Sequence, residues 1–146
     1  LFFVQSGILP HGKFVQHHTQ RNSLTSDNIF VKLLAMTWMI EYYSEKVRSA
    51  VDDWPLGIRA FYARITERMK IHGPNLGMPM TRSLGEGLFE IRAIGREGIG
   101  RAFFCTVKEK RIIILHVFIK KTDKTPLHEL ETGRKRLLEV QHENTR

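Results

Sequence analysis

The sequence contains a single cysteine, Cys105, among 146 residues. One cysteine excludes an internal disulfide and is typical of a reducing compartment, and its place in a strand-like run indicates an inert core thiol. Long apolar runs are also missing, because the longest one, residues 112–119, is interrupted by His116 and is far too short to cross a bilayer. No segment has the pattern of a signal peptide. We therefore expect a cytoplasmic protein without a membrane partner.

Acidic residues are scarce, with 15 Asp and Glu against 23 Lys and Arg, which gives a formal net charge of +8. This balance favours a nucleic acid or an acidic protein as the partner. The sequence also lacks a cluster of metal-ligating side chains, a glycine-rich phosphate loop and a Ser/His/Asp arrangement. We therefore expect no metal and no cofactor, and arginine and lysine as the groups that bind phosphate.

The first 35 residues differ from the rest of the chain. They contain one acidic residue and no methionine, and their middle part, QHHTQRNSLTSDN, resembles a linker. The first methionine is Met36, and Met39 follows it. We expect residues 1–35 to be a disordered or non-native N-terminal extension, although a genuine N-terminal arm is the alternative, and residues 36–146 to form one domain.

Hydrophobic periodicity predicts an α+β domain with the element order β-α-α-β-β-β-α. Strands are predicted at residues 38–43, 88–94, 101–107 and 111–120. Helices are predicted after an N-cap at Ser44, at residues 56–72, and after an N-cap at Thr125 followed by Pro126. Residues 75–86 form a turn-rich segment. The last three strands have short connections, which predicts an antiparallel meander.

Residues 87–126 are the most informative part, because three strand-like runs end there in a cluster of lysines. The cations that we expect to contact phosphate are Arg92, Arg101, Lys120, Lys121 and Lys124. Arg101 begins the strand after Arg92, so the two guanidinium groups are candidates to clamp one phosphate across the hairpin. His116 alternates with Ile112, Ile114 and Phe118, which places these side chains on one face of the strand and fits either a core histidine or a general acid or base.

The runs GLFEIR, RAFFCTV and ILHVFIKKTDKTP, followed by a helix, resemble the RelE/ParE toxin superfamily and specifically its phage-derived HigB-like branch. The resemblance covers about residues 36–140. It implies a small RelE-like fold, in which two N-terminal helices and a C-terminal helix pack on one side of a mainly antiparallel four-stranded sheet. It also implies a type II toxin that cuts mRNA in the ribosomal A site. The implied partners are a cognate helix-turn-helix antitoxin and, through it, operator DNA.

The resemblance also implies roles for individual residues. Arg92 corresponds to an arginine that binds the scissile phosphate, and Lys121 lies near the position of a catalytic arginine. His128 lies where RelE has a tyrosine, and Arg82 is the one cation in a segment where RelE has two lysines. We predict catalytic roles for Arg92, Lys121, His116 and Lys124, and substrate-binding roles for Arg101, Lys120, His128 and Arg82.

The leading hypothesis is therefore a metal-independent, ribosome-dependent mRNA endonuclease. The alternatives are a ParE-like toxin that inhibits DNA gyrase without cutting a nucleic acid, and an inactive module that serves as antitoxin partner and co-repressor. The converging cations favour the endonuclease, because a toxin that only binds a protein has less need of them.

Overall fold

The structure, a computed structural model, describes residues 26–146. Its elements are α1 (Ser26–Met36), β1 (Met39–Tyr42), α2 (Glu45–Asp52), α3 (Leu56–His72), β2 (Thr81–Gly85), β3 (Leu88–Gly95), β4 (Gly98–Val107), β5 (Arg111–Lys120) and α4 (Leu127–Thr145). Residues 1–25 of the predicted extension lie outside the described residues, and residues 26–35 belong to the fully exposed α1. In the described range, no helix combines the length and apolarity needed to cross a membrane.

The five strands form one sheet in the order β1-β5-β4-β3-β2. The strands β2 to β5 are antiparallel neighbours, which confirms the predicted meander, and β1 pairs with β5 in parallel. The expected four strands become five, because β2 lies in the segment predicted as turns. This edge strand has the glycine and serine content of a loop, and its place in the sheet depends on pairing with β3.

Helices cover both faces of the sheet. The helices α2 and α3 pack on one face, where Ile58 and Met69 share a core with Phe104. The helix α4 packs on the opposite face, where Leu137 shares a core with Phe103. The expectation that all helices lie on one side is therefore wrong. Because Phe103 and Phe104 point to opposite faces and both are fully buried, each face of β4 needs a cover.

A β-bulge sets which side chains of β5 face α4. The pairing of β4 with β5 shifts between Phe103, opposite His116, and Phe104, opposite Ile114, so Leu115 is an extra residue. Past the bulge, the residues of β5 that face α4 are His116 and Phe118. The prediction that His116 and Ile114 lie on one face of the strand is therefore wrong, because it assumed a strand without a bulge.

Two glycines allow helices to approach the sheet closely. A Cβ atom at Gly100 would lie 2.6 Å from Cγ2 of Ile58 on α3, and one at Gly133 of α4 would lie 2.7 Å from Cδ2 of Phe103.

The predicted cap of α2 is confirmed, because the hydroxyl of Ser44 accepts a hydrogen bond from the Val47 amide at 3.3 Å.

Candidate active site

The candidate site lies on the α4 face of the sheet, at the end of β5. Arg92 on β3 is directly opposite Arg101 on β4, and Arg101 is directly opposite Phe118 on β5. We call these three residues the arginine row. Two residues beyond Phe118, β5 ends at Lys120 and continues into residues 121–126, the lysine loop. The structure thus brings the predicted arginines to the base of the predicted lysine cluster.

Arg101 is buried and has partners within the protein. Its Nη1 lies 2.6 Å from Oε1 of Glu90, and the same nitrogen donates a hydrogen bond of 2.9 Å to Oγ1 of Thr125. The second carboxylate oxygen of Glu90 accepts a 2.6 Å hydrogen bond from Nε of Arg82 on β2. Glu90 is itself fully buried, so its charge is compensated by two of the arginines that the sequence predicts to bind substrate.

Arg92 differs from its neighbour because no carboxylate of residues 26–146 forms an ion pair with it. Glu90 is used by the other two arginines, and Glu97 accepts a 3.0 Å hydrogen bond from the Gly57 amide. The Nε atoms of both arginines are buried and have no hydrogen-bond partner among the described residues, so the two side chains differ in their ion pairs and not at Nε. Because no carboxylate among residues 26–146 offsets the charge of Arg92, its guanidinium is the one of the two that is available to an anion.

Thr125 connects the lysine loop to the sheet. The prediction that Thr125 caps the last helix is wrong, because α4 begins at Leu127 with Pro126 at its N-cap and no side-chain cap bond. The Thr125 hydroxyl accepts the hydrogen bond from Arg101 instead. This contact fixes the C-terminal end of the loop that carries the exposed Lys121 and Lys124.

His116 has both ring nitrogens engaged by α4. Nη1 of Arg136 donates to its Nδ1 at 3.3 Å and also to the carbonyl oxygen of Leu115 at 2.8 Å. Because arginine only donates hydrogen bonds, Nδ1 must be the acceptor, and the proton of the neutral ring lies on Nε2. That nitrogen contacts Oε2 of Glu129 in the first turn of α4. The arrangement holds the ring in one tautomer and fastens the start of α4 to β5.

His128 is exposed at the beginning of α4, and its Nε2 lies 3.1 Å from Oε1 of Glu129. Lys120, at the end of β5, is partly exposed. The structure therefore places all eight predicted site residues on the α4 face or in the loop beside it. It does not bring them equally close, since Arg82 lies at the far edge strand and contacts the site through Glu90.

Sequence reasoning missed the side chains that hold the site together, namely Glu90, Thr125, Glu129 and Arg136. A signal for Glu90 was present, because it alternates with Leu88 and Arg92 in a strand whose other side is apolar. Glu129 and Arg136 are seven residues apart and so lie on one side of α4. Their common partner, His116, was visible only after the bulge in β5 was known.

Two further features of residues 26–146 bear on chemistry, namely the lone cysteine and the side chains that are able to ligate a metal. Burial raises the pKa of the Cys105 thiol to about 11, which keeps it protonated and unreactive at neutral pH. Among the side chains of residues 26–146, no group of three or more His, Cys, Asp and Glu is placed to hold a metal ion.

The mixed α+β fold, with its five-stranded and mostly antiparallel sheet, is compatible with a small RelE-like domain. Residues 49–138 match the family described as "Phage derived protein Gp49-like (DUF891)", and the chain belongs to this family. The family is part of the RelE/HigB-like toxin family and is associated with toxins of toxin–antitoxin systems. The match includes all eight predicted site residues. No curated protein matches the chain. The HigB-like branch stays a prediction.

Proposed function

We propose that the protein is the toxin of a type II toxin–antitoxin module and that it inhibits translation as a metal-independent, ribosome-dependent mRNA endonuclease. The observation that carries this proposal is Arg92, a cation without a carboxylate partner among residues 26–146, next to a loop with two exposed lysines. Membership in a family associated with RelE-type toxins supports it.

The proposed reaction breaks one phosphodiester bond of the mRNA. The 2′ oxygen attacks the adjacent phosphorus, and the bond from phosphorus to the 5′ oxygen of the next nucleotide breaks. The products are a 2′,3′-cyclic phosphate and a 5′ hydroxyl. A base takes the proton of the 2′ hydroxyl, and an acid gives a proton to the departing 5′ oxygen. Two proton transfers and stabilisation of the phosphorane-like transition state are therefore required.

Arg92 binds the scissile phosphate in this proposal, and Lys121 and Lys124 offset the additional negative charge of the transition state. Proton transfer falls to the exposed titratable groups beside the phosphate, Lys121, Lys124 and His128. Lysine is able to carry a proton in this way and arginine is not. Lys120 and the half-exposed Arg82 bind phosphates of neighbouring nucleotides.

Arg101 and His116 act through other residues. Arg101, held by Glu90, positions the lysine loop through Thr125. His116 positions the first turn of α4 through Glu129, because hydrogen bonds occupy both of its ring nitrogens. This division of roles changes the sequence-based hypothesis, in which Arg101 clamped the phosphate and His116 was a general acid or base.

The proposed partners are those that the resemblance to the HigB-like branch implies. A cognate helix-turn-helix antitoxin neutralises the toxin, and the complex of the two binds operator DNA through the antitoxin. The toxin acts on mRNA in the ribosomal A site, in the cytoplasm. The net charge of +8 favours association with the polyanionic ribosome.

Primer extension on a reporter mRNA tests the proposal, with the full chain added in the presence and absence of programmed ribosomes. We expect cuts within the A-site codon that require ribosomes and disappear in Arg92→Ala. A matched control is Arg48→Ala, since Arg48 is exposed on α2, on the opposite side of the sheet. Its cuts should equal those of the wild type.

The absence of ribosome-dependent cuts would contradict the proposal. A parallel assay of DNA gyrase supercoiling then separates the alternatives. Inhibition of gyrase would identify a ParE-like toxin, and the absence of both activities would identify a module that acts only with its antitoxin.

A further inference from the structure

The sheet continues past the arginine row toward the turn between β3 and β4. The register pairs Ile94 with Ile99 and Ile99 with Lys120, and we call these three residues the isoleucine row. Gly95 and Gly100 face Ile58 of α3, so the alternating isoleucine row faces the same side as Arg92. The two rows are adjacent, and their Cα atoms are about 7 Å apart along each strand.

The isoleucine row lies beyond the part of the sheet that α4 covers. The close contact of α4 with the sheet, at Gly133 and Phe103, is on the other side of the arginine row. Ile94 is 41% exposed, and Ile99 is partly exposed. These two aliphatic side chains lie on the open face of the sheet, beside the buried Arg101 and the partly exposed Arg92. They form an apolar surface that nothing in residues 26–146 fully covers.

Phe118 provides an aromatic ring at the border of this surface. Its ring packs edge-on against Phe103, with centroids 5.3 Å apart and an angle of 70°. It also stacks on the ring of His116, at 5.8 Å and 27°. Phe118 is nevertheless only partly buried. The ring is thus held in place by two neighbours and still offers exposed surface.

The combination of flat apolar surface and cations identifies the ligand. Arg92 lies on β3 and Lys120 on β5, the two strands that flank β4, and Phe118 and the two isoleucines lie beside them. A nucleobase has a flat face that stacks on aromatic side chains, and its nucleotide carries a phosphate for a neighbouring cation. We propose that Phe118, Ile94 and Ile99 form a nucleobase subsite for the base that adjoins the phosphate bound at Arg92.

This inference rests on the proposed function, because it takes Arg92 as the phosphate-binding group. None of the side chains of Phe118, Ile94 and Ile99 is able to form a hydrogen bond, so the subsite binds the base by stacking and apolar contact. Such contacts are tolerant of base identity, because every base has a flat face. The subsite therefore orients the nucleotide without selecting its sequence.

The test is fluorescence anisotropy at low salt with two labelled oligonucleotides, which separates base contacts from phosphate contacts. One is 2′-O-methyl hexauridylate, which lacks a 2′ hydroxyl and cannot be cleaved by the proposed route. The other has the same sugar-phosphate chain without bases. The variants are Phe118→Leu, Phe118→Trp and Arg92→Ala, and Phe89→Leu is the control, because Phe89 is a partly exposed aromatic on the opposite face.

We expect Phe118→Leu to weaken binding of the hexauridylate about fivefold or more and to leave binding of the abasic chain unchanged. Phe118→Trp should restore the affinity, and Arg92→Ala should weaken both ligands. Equal affinities of Phe118→Leu and the wild type would overturn the subsite, as would an equal loss for both ligands or a wild type that binds neither. If the base-dependent loss is found and ribosomal cuts are absent, the subsite holds and the endonuclease proposal fails.

Discussion

Glu90 and Arg101 form a buried ion pair between neighbouring strands, with Oε1 and Nη1 2.6 Å apart. Removal of one partner from such a pair leaves an uncompensated buried charge. We expect Glu90→Ala to lower the free energy of unfolding by about 3–5 kcal/mol in urea titrations. The control is Glu67→Ala, which removes an exposed ion pair with Lys70 and should cost less than about 1 kcal/mol. Equal losses in the two variants would contradict the compensating role of Glu90.

The hydrogen bond between Arg101 and Thr125 positions the lysine loop. We therefore expect its removal to lower the cleavage activity while the protein stays folded. Thr125→Val keeps the shape of the side chain and removes the hydroxyl that accepts the 2.9 Å hydrogen bond. A hydrogen bond to a charged group contributes about 1.5–3 kcal/mol, so we expect the cleavage rate to fall about tenfold or more as the lysine loop loses its position.

Two matched variants check this interpretation in the same ribosomal cleavage assay. Thr125→Ser retains the hydroxyl and should retain the rate. Thr132→Val removes the hydroxyl that donates to the His128 carbonyl oxygen on the surface of α4, and it should also have wild-type activity. A Thr125→Val protein as active as wild type would show that the loop does not depend on Arg101.

Both ring nitrogens of His116 form hydrogen bonds with side chains of α4. We therefore expect replacement of His116 to have only a modest effect on the cleavage rate. Glutamine still has a side-chain amide that is able to donate to Glu129, so His116→Gln should retain cleavage within about tenfold and lose stability. A general acid or base would instead contribute about 10²–10⁴-fold. Single-turnover rates measured beside thermal unfolding distinguish the two roles, and a loss of 10³-fold in a folded variant would restore the catalytic assignment.

Because the thiol of Cys105 is buried, we expect the free energy of unfolding to fall at alkaline pH. Burial raises the pKa of its thiol from 9.0 to about 11, so the unfolded chain loses this proton at a lower pH than the folded one. The associated stability is present below pH 9 and is lost as the pH rises from 9 to 11. Cys105→Val should lack this part of the decline in urea titrations. Identical pH profiles for the two proteins would show that the thiol does not titrate differently on folding.

Much of the fold could be predicted from the sequence, because most elements have a strong local signal. The strand β1, the Ser44 cap and the three strands of the meander are close to their predicted positions. The edge strand β2 could not be predicted, because its composition is that of a turn and its pairing with β3 is a tertiary effect. The placement of α4 on the second face was missed because the family resemblance was taken to imply a single covered face.

The placement of the candidate site's cations was predictable, and the contacts that distinguish them were not. The hairpin already suggested that Arg92 and Arg101 face each other, and the register confirms it. The difference between them depends on Thr125, 24 residues away from Arg101 in the chain, and on the buried carboxylate of Glu90. Contacts of this kind require the strand register and the path of the lysine loop, which no local pattern contains.

We propose that Arg92 is the phosphate-binding group of a ribosome-dependent endonuclease. The most direct measurement is the single-turnover rate of mRNA cleavage on programmed ribosomes for wild type, Arg92→Ala, Arg92→Lys and Arg48→Ala, each verified as folded. Loss of transition-state charge stabilisation predicts a decrease of about 10²–10³-fold for Arg92→Ala, a partial recovery for Arg92→Lys and no change for Arg48→Ala. A rate for Arg92→Ala within a few-fold of wild type would contradict the account.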